Sequence, residues 1–246
     1  MAKEFEVRFD GLLPAEPDRA WAAITTSQTA GWLWEIEYEP RLGGAERGLS
    51  GDGGKVTAWE PTRHFATRAE RADGWFNELD YVLEPRAGGT FLRYVHRGVM
   101  DDADYDRDYE ACRRHTAFYH HSLGEYVGHF GGRPVTYVSA DGPAESAAAG
   151  SFAAVRRELP IAREAAAGDR VTVDLPDAPG VEATIDYLTQ EFIGLRADDA
   201  LYRFYGRDAF GWPVGIAHHL FGEDGDASAV ERAWSDWLAG LYAARV

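Results

Sequence analysis

The sequence predicts an α+β fold: an antiparallel sheet closed on one long helix, followed by a second, shortened unit of the same class. Three observations predict it. Residues 3–10 and 90–97 alternate apolar and polar side chains with the two-residue period of a half-buried strand. Residues 104–130 carry Tyr105, Tyr109, Cys112, Thr116, Tyr119, Leu123, Tyr126 and Phe130 at spacings of three and four, which makes one helical stripe. After Gly150 a second series of short strands leads into a last amphipathic helix.

The elements follow in order. Phe5, Val7 and Phe9 mark the inner face of the first strand, and Pro14 and Pro17 end it. Asp18 opens a short helix with Trp21, Ala22 and Ile24, and a second short helix covers Ser27 to Trp32. An extended piece from Glu35 to Glu39 turns at Pro40 and Gly43-Gly44. The glycine-rich stretch 48–54 has neither a dinucleotide fingerprint nor a P-loop lysine, so it reads as a flexible hairpin loop. Strands are expected at 55–60, 64–71, 75–84 and 90–97. Aspartates crowd the start of the 104–130 helix, where carboxylates favour the macrodipole, and Gly131-Gly132 ends it.

The expected domains are 1–132, a linker over 133–150 rich in proline, glycine and alanine with room for one short extended piece, and a smaller α+β domain over 151–246. The second domain is expected to hold a helix near 151–159 and strands near 171–175, 181–188, 191–196 and 201–207. Its last helix carries Ser228 and Glu231 in capping-box spacing, with Val230, Trp234, Trp237 and Leu241 on one face. Leu79-Asp80-Tyr81-Val82 resembles Ile185-Asp186-Tyr187-Leu188, and Arg93 and Arg97 share the spacing of Arg203 and Arg207, so a duplicated copy is expected.

Composition excludes several classes. With 41 acidic against 25 basic residues the net charge is -16, and no basic run exists to grip phosphates or an anionic membrane. Cys112 is the one cysteine, which rules out an intramolecular disulfide and a cysteine zinc site and suits a reducing compartment. The N-terminal residues lack a signal-peptide pattern, and no apolar run reaches the length of a membrane span. A cytoplasmic protein without a cofactor is expected. Lysine occurs only at Lys3 and Lys55, which argues against Schiff-base chemistry.

At this point a resemblance enters. Residues 5–130 resemble the heat-shock-protein-90 ATPase activator-like branch of the START-like (SRPBCC, polyketide cyclase-like) superfamily. The carrying pieces are Pro17 to Thr25 with Trp21 and Ile24, Trp32-Leu33, and Glu39-Pro40-Arg41-Leu42-Gly43-Gly44. Gly54-Lys55-Val56 with Glu60-Pro61, Leu83-Glu84-Pro85, and Gly89-Thr90 running to His96-Arg97-Gly98 complete them. Residues 160–243 resemble the companion half of double-domain members. The resemblance implies a helix-grip fold, a curved sheet holding the long helix with a cavity between them. A protein partner is compatible with it. Chaperone stimulation is doubtful, because the chain starts directly with the START-like strand and shows no docking domain before it.

Leu92, Tyr94 and His96 share one strand face while Arg93 and Arg97 take the other, and burying two unpaired guanidinium groups would cost far more than exposing them. Tyr94, His96 and Leu92 therefore face inward, and the same alternation turns Leu79 and Tyr81 inward. The helix offers Tyr119, Leu123 and Tyr126, and Trp32 and Phe65 complete the expected lining. The expected ligand is an apolar or aromatic small molecule held without catalysis. Two alternatives stay open: a cyclase or dehydratase working in the same cavity with His96 as acid–base, and a chaperone-regulating interaction module. His121, Glu125 and His129 stand at successive i+4 steps, as metal ligands on one helix could, but the wheel turns them away from the stripe. They are expected to face water without a metal. Cys112 reads as an apolar filler, and His218-His219 as structural residues at a strand end.

Overall fold

The computed structural model describes residues 2–51, 53–222 and 226–243, which form two compact units, Met1–Gly132 and Arg133–Val246. Unit 1 runs β1 (Ala2–Leu13), α1 (Pro17–Thr25), a 3₁₀ turn (Ser27–Gly31), β2 (Glu37–Tyr38), β3 (Ala45–Arg47) and β4 (Gly54–Glu60). It continues with β5 (His64–Glu70), β6 (Phe76–Arg86), β7 (Gly89–Asp101), α2 (Tyr105–Glu125) and a π-turn (Tyr126–Phe130). The strands form one antiparallel sheet in the order β1-β7-β6-β5-β4-β3-β2, and α2 packs against β1 and β7. This is a helix-grip fold.

Register places the inner face in rows. Phe9 pairs with Tyr94, Tyr94 with Tyr81, Tyr81 with Phe65 and Phe65 with Trp59. Five aromatic side chains from five adjacent strands therefore stand side by side, as cross-strand neighbours must. The next row is Val7, His96, Leu79 and Thr67. Arg93 and Arg97 lie on the outer face, where Arg93 pairs with Glu84 and Arg97 with Glu6 at 2.7 Å and Glu78 at 3.1 Å. In the glycine-rich hairpin, the buried Glu46 carboxylate accepts the Leu49 N–H at 2.8 Å and the Ser50 hydroxyl at 3.0 Å. That side of the loop is pinned; its Asp52 lies outside the described residues.

Unit 2 runs β8 (Thr136–Asp141), a 3₁₀ turn (Ala144–Ala147), α3 (Ala153–Glu158), β9 (Arg170–Leu175), β10 (Ala178–Leu188) and β11 (Phe192–Arg196). Then follow β12 (Ala200–Tyr205), a 3₁₀ turn (Arg207–Phe210), β13 (Gly215–Leu220) and α4 (Ala227–Tyr242). The sheet order is β8-β13-β12-β11-β10-β9, and α4 packs across β8. The topology repeats that of unit 1: the first strand pairs with the last, the meander runs outward from there, and the closing helix covers the first strand. Unit 2 is a shortened version of the same topology.

Three expectations are corrected. The stretch 133–150, expected as a linker with a short extended piece, contributes a full strand to the second sheet. Thr136–Asp141 is β8, paired with β13 from Thr136↔Leu220 to Asp141↔Gly215, with Val138 and Ala140 buried. Its flanking prolines bound the strand instead of interrupting it. The short sequence matches are also out of position, since β12 and β13, not β10 and β12, occupy the places of β6 and β7. The repeat lies in topology, which short identities do not track. Finally, the cap of α4 is Asp226, whose carboxylate accepts the Ala229 N–H at 3.1 Å, two residues before Ser228. The side of α4 facing the sheet buries Trp234 and Leu238, with Val230, Trp237 and Leu241 packed beside them. Among the described residues no helix is long and apolar enough to cross a membrane.

Candidate functional site in unit 1

The aromatic row of unit 1 meets α2 at His120. Its ring lies 4.2 Å from Tyr94 and 6.1 Å from Tyr81 between centroids. It stacks on Phe9 at 4.7 Å with an interplanar angle of 19°, and Trp32 stands 6.0 Å away. Each neighbour is held from its own element. The Trp32 indole N–H donates to the Ala23 carbonyl at 2.9 Å, tying it to α1, and Phe65 packs on Tyr81 at 5.9 Å and Tyr38 at 4.7 Å. The Tyr81 and Tyr94 rings stand 4.7 Å apart between centroids. Burial pushes both phenols, and that of Tyr38, well above the usual tyrosine range, so all three stay protonated.

His120 is 3% exposed. Its Nδ1 lies 2.8 Å from the Thr116 carbonyl oxygen, whereas its Nε2 is buried without a hydrogen-bond partner among the described residues. Burial lowers its pKa to about 4. The cluster continues into a short polar chain. His96 Nε2 is 2.6 Å from Asn77 Oδ1, and its Nδ1 is 3.3 Å from Cys112 Sγ. Burial lowers His96 to about 4 and raises the Cys112 thiol to about 11, so thiol and imidazole are both neutral near pH 7.

Trp32, Tyr81 and Tyr94 thus come together around His120, Phe65 packs on Tyr81 one strand further along the row, and His96 sits one row away opposite Leu79. Leu92 and Leu123 are fully buried core residues. Tyr119 and Tyr126 do not join Tyr94. Tyr119 is half-exposed at the rim against Trp34, at 6.0 Å. Tyr126 closes the end of the helix: its hydroxyl donates to Gln28 Oε1 and accepts the Gly132 N–H, both at 3.1 Å. A Cβ on Gly31 would come within 2.4 Å of the Tyr126 ring, so glycine is what admits it. Both tyrosines belong to the stripe, but the stripe is wider than the strip that touches the ring row.

Sequence reasoning missed His120, although a signal existed. At about 100° per residue it stands about 40° from Thr116 and about 60° from Leu123, inside the covered face. The i+4 histidines nearby drew the reading away. Those are not all in water: His121 and Glu125 have side-chain exposures of 29% and 20%, and His129 is exposed. Burial on α2 extends beyond the stripe to Ala111, Phe118 and Ser122. The Glu125 carboxylate lies 3.9 Å from His121 Nε2 and 3.7 Å from His129 Nε2. In unit 2, His218 and His219 are buried within β13, and His218 Nδ1 accepts the Arg203 backbone N–H at 3.0 Å.

The low pKa of His120 sets an expected pH dependence. Its folded value, about 4, lies below the ordinary histidine value of about 6.5. Its contribution is therefore complete above about pH 6.5 and is lost as pH falls towards 4, because the unfolded chain takes up the proton first. Between pH 7 and pH 5 the loss is about 2 kcal/mol for this one histidine. Differential scanning calorimetry of wild type and His120→Phe across that range measures it. The variant should lose less stability on acidification, and parallel curves would refute the buried neutral ring. The titratable groups facing His120 are His96, which titrates in the same window, and Tyr81 and Tyr94, which stay neutral throughout. The Glu110 carboxyl, held at about 2 by Arg113 and Arg114, acts only at lower pH.

No protein-family model matches the chain, and no curated protein matches it. Solved structures do. DynU16, a protein of the dynemicin biosynthetic locus, is 16% identical, with a TM-score of 0.42 over 96% of each chain. The Aha1 dimer from Colwellia psychrerythraea is 20% identical, with a TM-score of 0.41 over 50% of this chain and 96% of that one. CalU16 from Micromonospora echinospora is 21% identical, with a TM-score of 0.40 over 52% and 76%. These are likenesses of fold alone.

Proposed function

We propose that unit 1 binds an aromatic or apolar small molecule between the ring row of its sheet and α2, without transforming it. The observation that carries the reading is His120 Nε2, a buried polar atom without a partner at the centre of a wall of rings. The surroundings have the composition of a small-molecule site, mostly apolar with a few placed polar groups. The neutrality of the Cys112 thiol supports a non-catalytic role, because a nucleophile needs its thiolate.

A second reading rests on one observation. Cys112, His96 and Asn77 form a thiol–imidazole–amide chain, the order in which a base and an orienting group would serve a nucleophile. It would favour an enzyme working in the same place.

A neutral fluorescent probe, N-phenyl-1-naphthylamine, tests the first reading. The folded protein should bind it with a blue-shifted, enhanced emission. Tyr94→Leu should weaken binding about tenfold, equivalent to about 1.4 kcal/mol, whereas Tyr119→Ala at the rim should change it little. Native mass spectrometry of freshly purified protein should show a co-purifying mass that Tyr94→Leu loses. Equal responses from the two variants, or no binding by wild type, would defeat the proposal. Turnover abolished by Cys112→Ser would establish the second reading instead.

A further inference from the structure

The geometry points to a specific kind of ligand: a neutral aromatic molecule with a hydroxyl group, phenol-like, donating its proton to Nε2 of His120. This inference rests on the binding role proposed for unit 1. The first step is the position of the imidazole proton. A carbonyl oxygen only accepts, and the Thr116 carbonyl lies 2.8 Å from Nδ1, so Nδ1 carries the proton. In a neutral ring Nε2 is then a bare lone pair. It is an acceptor, buried, and without a donor among the described residues. The Tyr81 and Tyr94 rings lie against the imidazole, but neither hydroxyl is hydrogen-bonded to Nε2. A buried acceptor without a donor is costly, and a ligand donor removes that cost.

The surroundings decide which donor. Phe9, Trp32, Tyr81 and Tyr94 are uncharged side chains, so an ammonium group would be buried among them without a counter-charge. A carboxylate has no proton to donate and would set its lone pairs against that of Nε2. A neutral hydroxyl suffers neither penalty. The frame that carries it is aromatic, because the row offers ring edges and faces: Phe9 stacks on the imidazole, while Tyr81 and Tyr94 tilt at 39° and 46° to it. Offset-stacked and edge-on rings gain beyond their buried area.

Three probes of similar size separate the possibilities: 2-naphthol, 2-methylnaphthalene and 2-naphthoate, each titrated at pH 7.5 by displacement of N-phenyl-1-naphthylamine. We expect 2-naphthol to bind about tenfold tighter than 2-methylnaphthalene, in line with a hydrogen bond made rather than left unmade, and 2-naphthoate not to compete. His120→Phe keeps a ring in place but removes the acceptor. It should bring the naphthol-to-methylnaphthalene ratio to about one while leaving methylnaphthalene affinity within about threefold. His120→Gln, which can present an amide oxygen, should restore part of the preference and guards against a folding defect in the phenylalanine variant. If naphthol and methylnaphthalene bind alike in wild type, or if the preference survives His120→Phe, the inference fails while the binding role stands. If naphthoate binds best, the inference fails as well. If no probe and no dye binds, both fall together.

Discussion

Asp186→Ala is expected to destabilise unit 2 by about 3–5 kcal/mol, because it removes the carboxylate that neutralises a buried guanidinium. Arg203 on β12 stands directly opposite Gly194 on β11, and its side chain reaches across that glycine to Asp186 on β10. The pair is bidentate, Nη1 to Oδ1 at 2.9 Å and Nη2 to Oδ2 at 2.7 Å, with side-chain exposures of 0% and 3%. Two local features make the crossing possible. A register shift between Ile185 and Tyr187 falls at Asp186. A Cβ on Gly194 would lie 2.4 Å from the carboxylate and 2.8 Å from the guanidinium, so glycine leaves the lane open. Urea denaturation followed by tryptophan fluorescence measures the loss. Replacing both partners, Asp186→Leu with Arg203→Met, should recover most of it, since a matched apolar pair leaves no buried charge. A single-variant loss below about 1 kcal/mol would show that the pair adds no more than an exposed ion pair does.

Gly89→Ala should be as damaging to unit 1, and for a backbone reason. Gly89 has φ of +146°, and a Cβ there would sit 2.0 Å from the Leu13 carbonyl oxygen and 3.1 Å from the Ala15 nitrogen. Leu13 pairs with Thr90 at the end of the β1–β7 ladder, and the Thr90 hydroxyl donates to the Ala15 carbonyl at 2.7 Å. Nothing in this clash is a flexible side-chain tip. The ladder end must open, with an expected loss above about 3 kcal/mol, or the variant does not fold. The neighbouring Gly88 is the internal control. Its φ is +87° but a Cβ there would meet only Leu12, at 3.8 Å, so Gly88→Ala should cost about 1–2 kcal/mol for the left-handed backbone alone. Thermal melts of the two variants side by side decide the matter, and equal losses would refute the steric account.

Much of unit 1 is determined by the sequence alone, because two periods carry it. Alternation along β6 and β7 turned Leu79, Tyr81, Leu92 and Tyr94 inward and Arg93 and Arg97 outward, and a strand leaves no other choice. The tyrosine stripe put Tyr105, Tyr109 and Cys112 of α2 against the sheet, since side chains three and four apart share a face. Tertiary structure decided the rest. Periodicity gives the direction of a side chain but not its neighbour across the sheet, so the five-ring row existed only once register was set. Nor does it rank positions within a broad face, and that is why His120 came to the centre, Tyr119 to the rim and Tyr126 to a hydrogen-bonded corner. The sharpest case is Arg203. Read by sequence, a lone arginine in an apolar strand argues for the surface. It is buried because Asp186, two strands away, is aimed at it across a glycine, and a charge can leave water when its partner and hydrogen bonds are already in place.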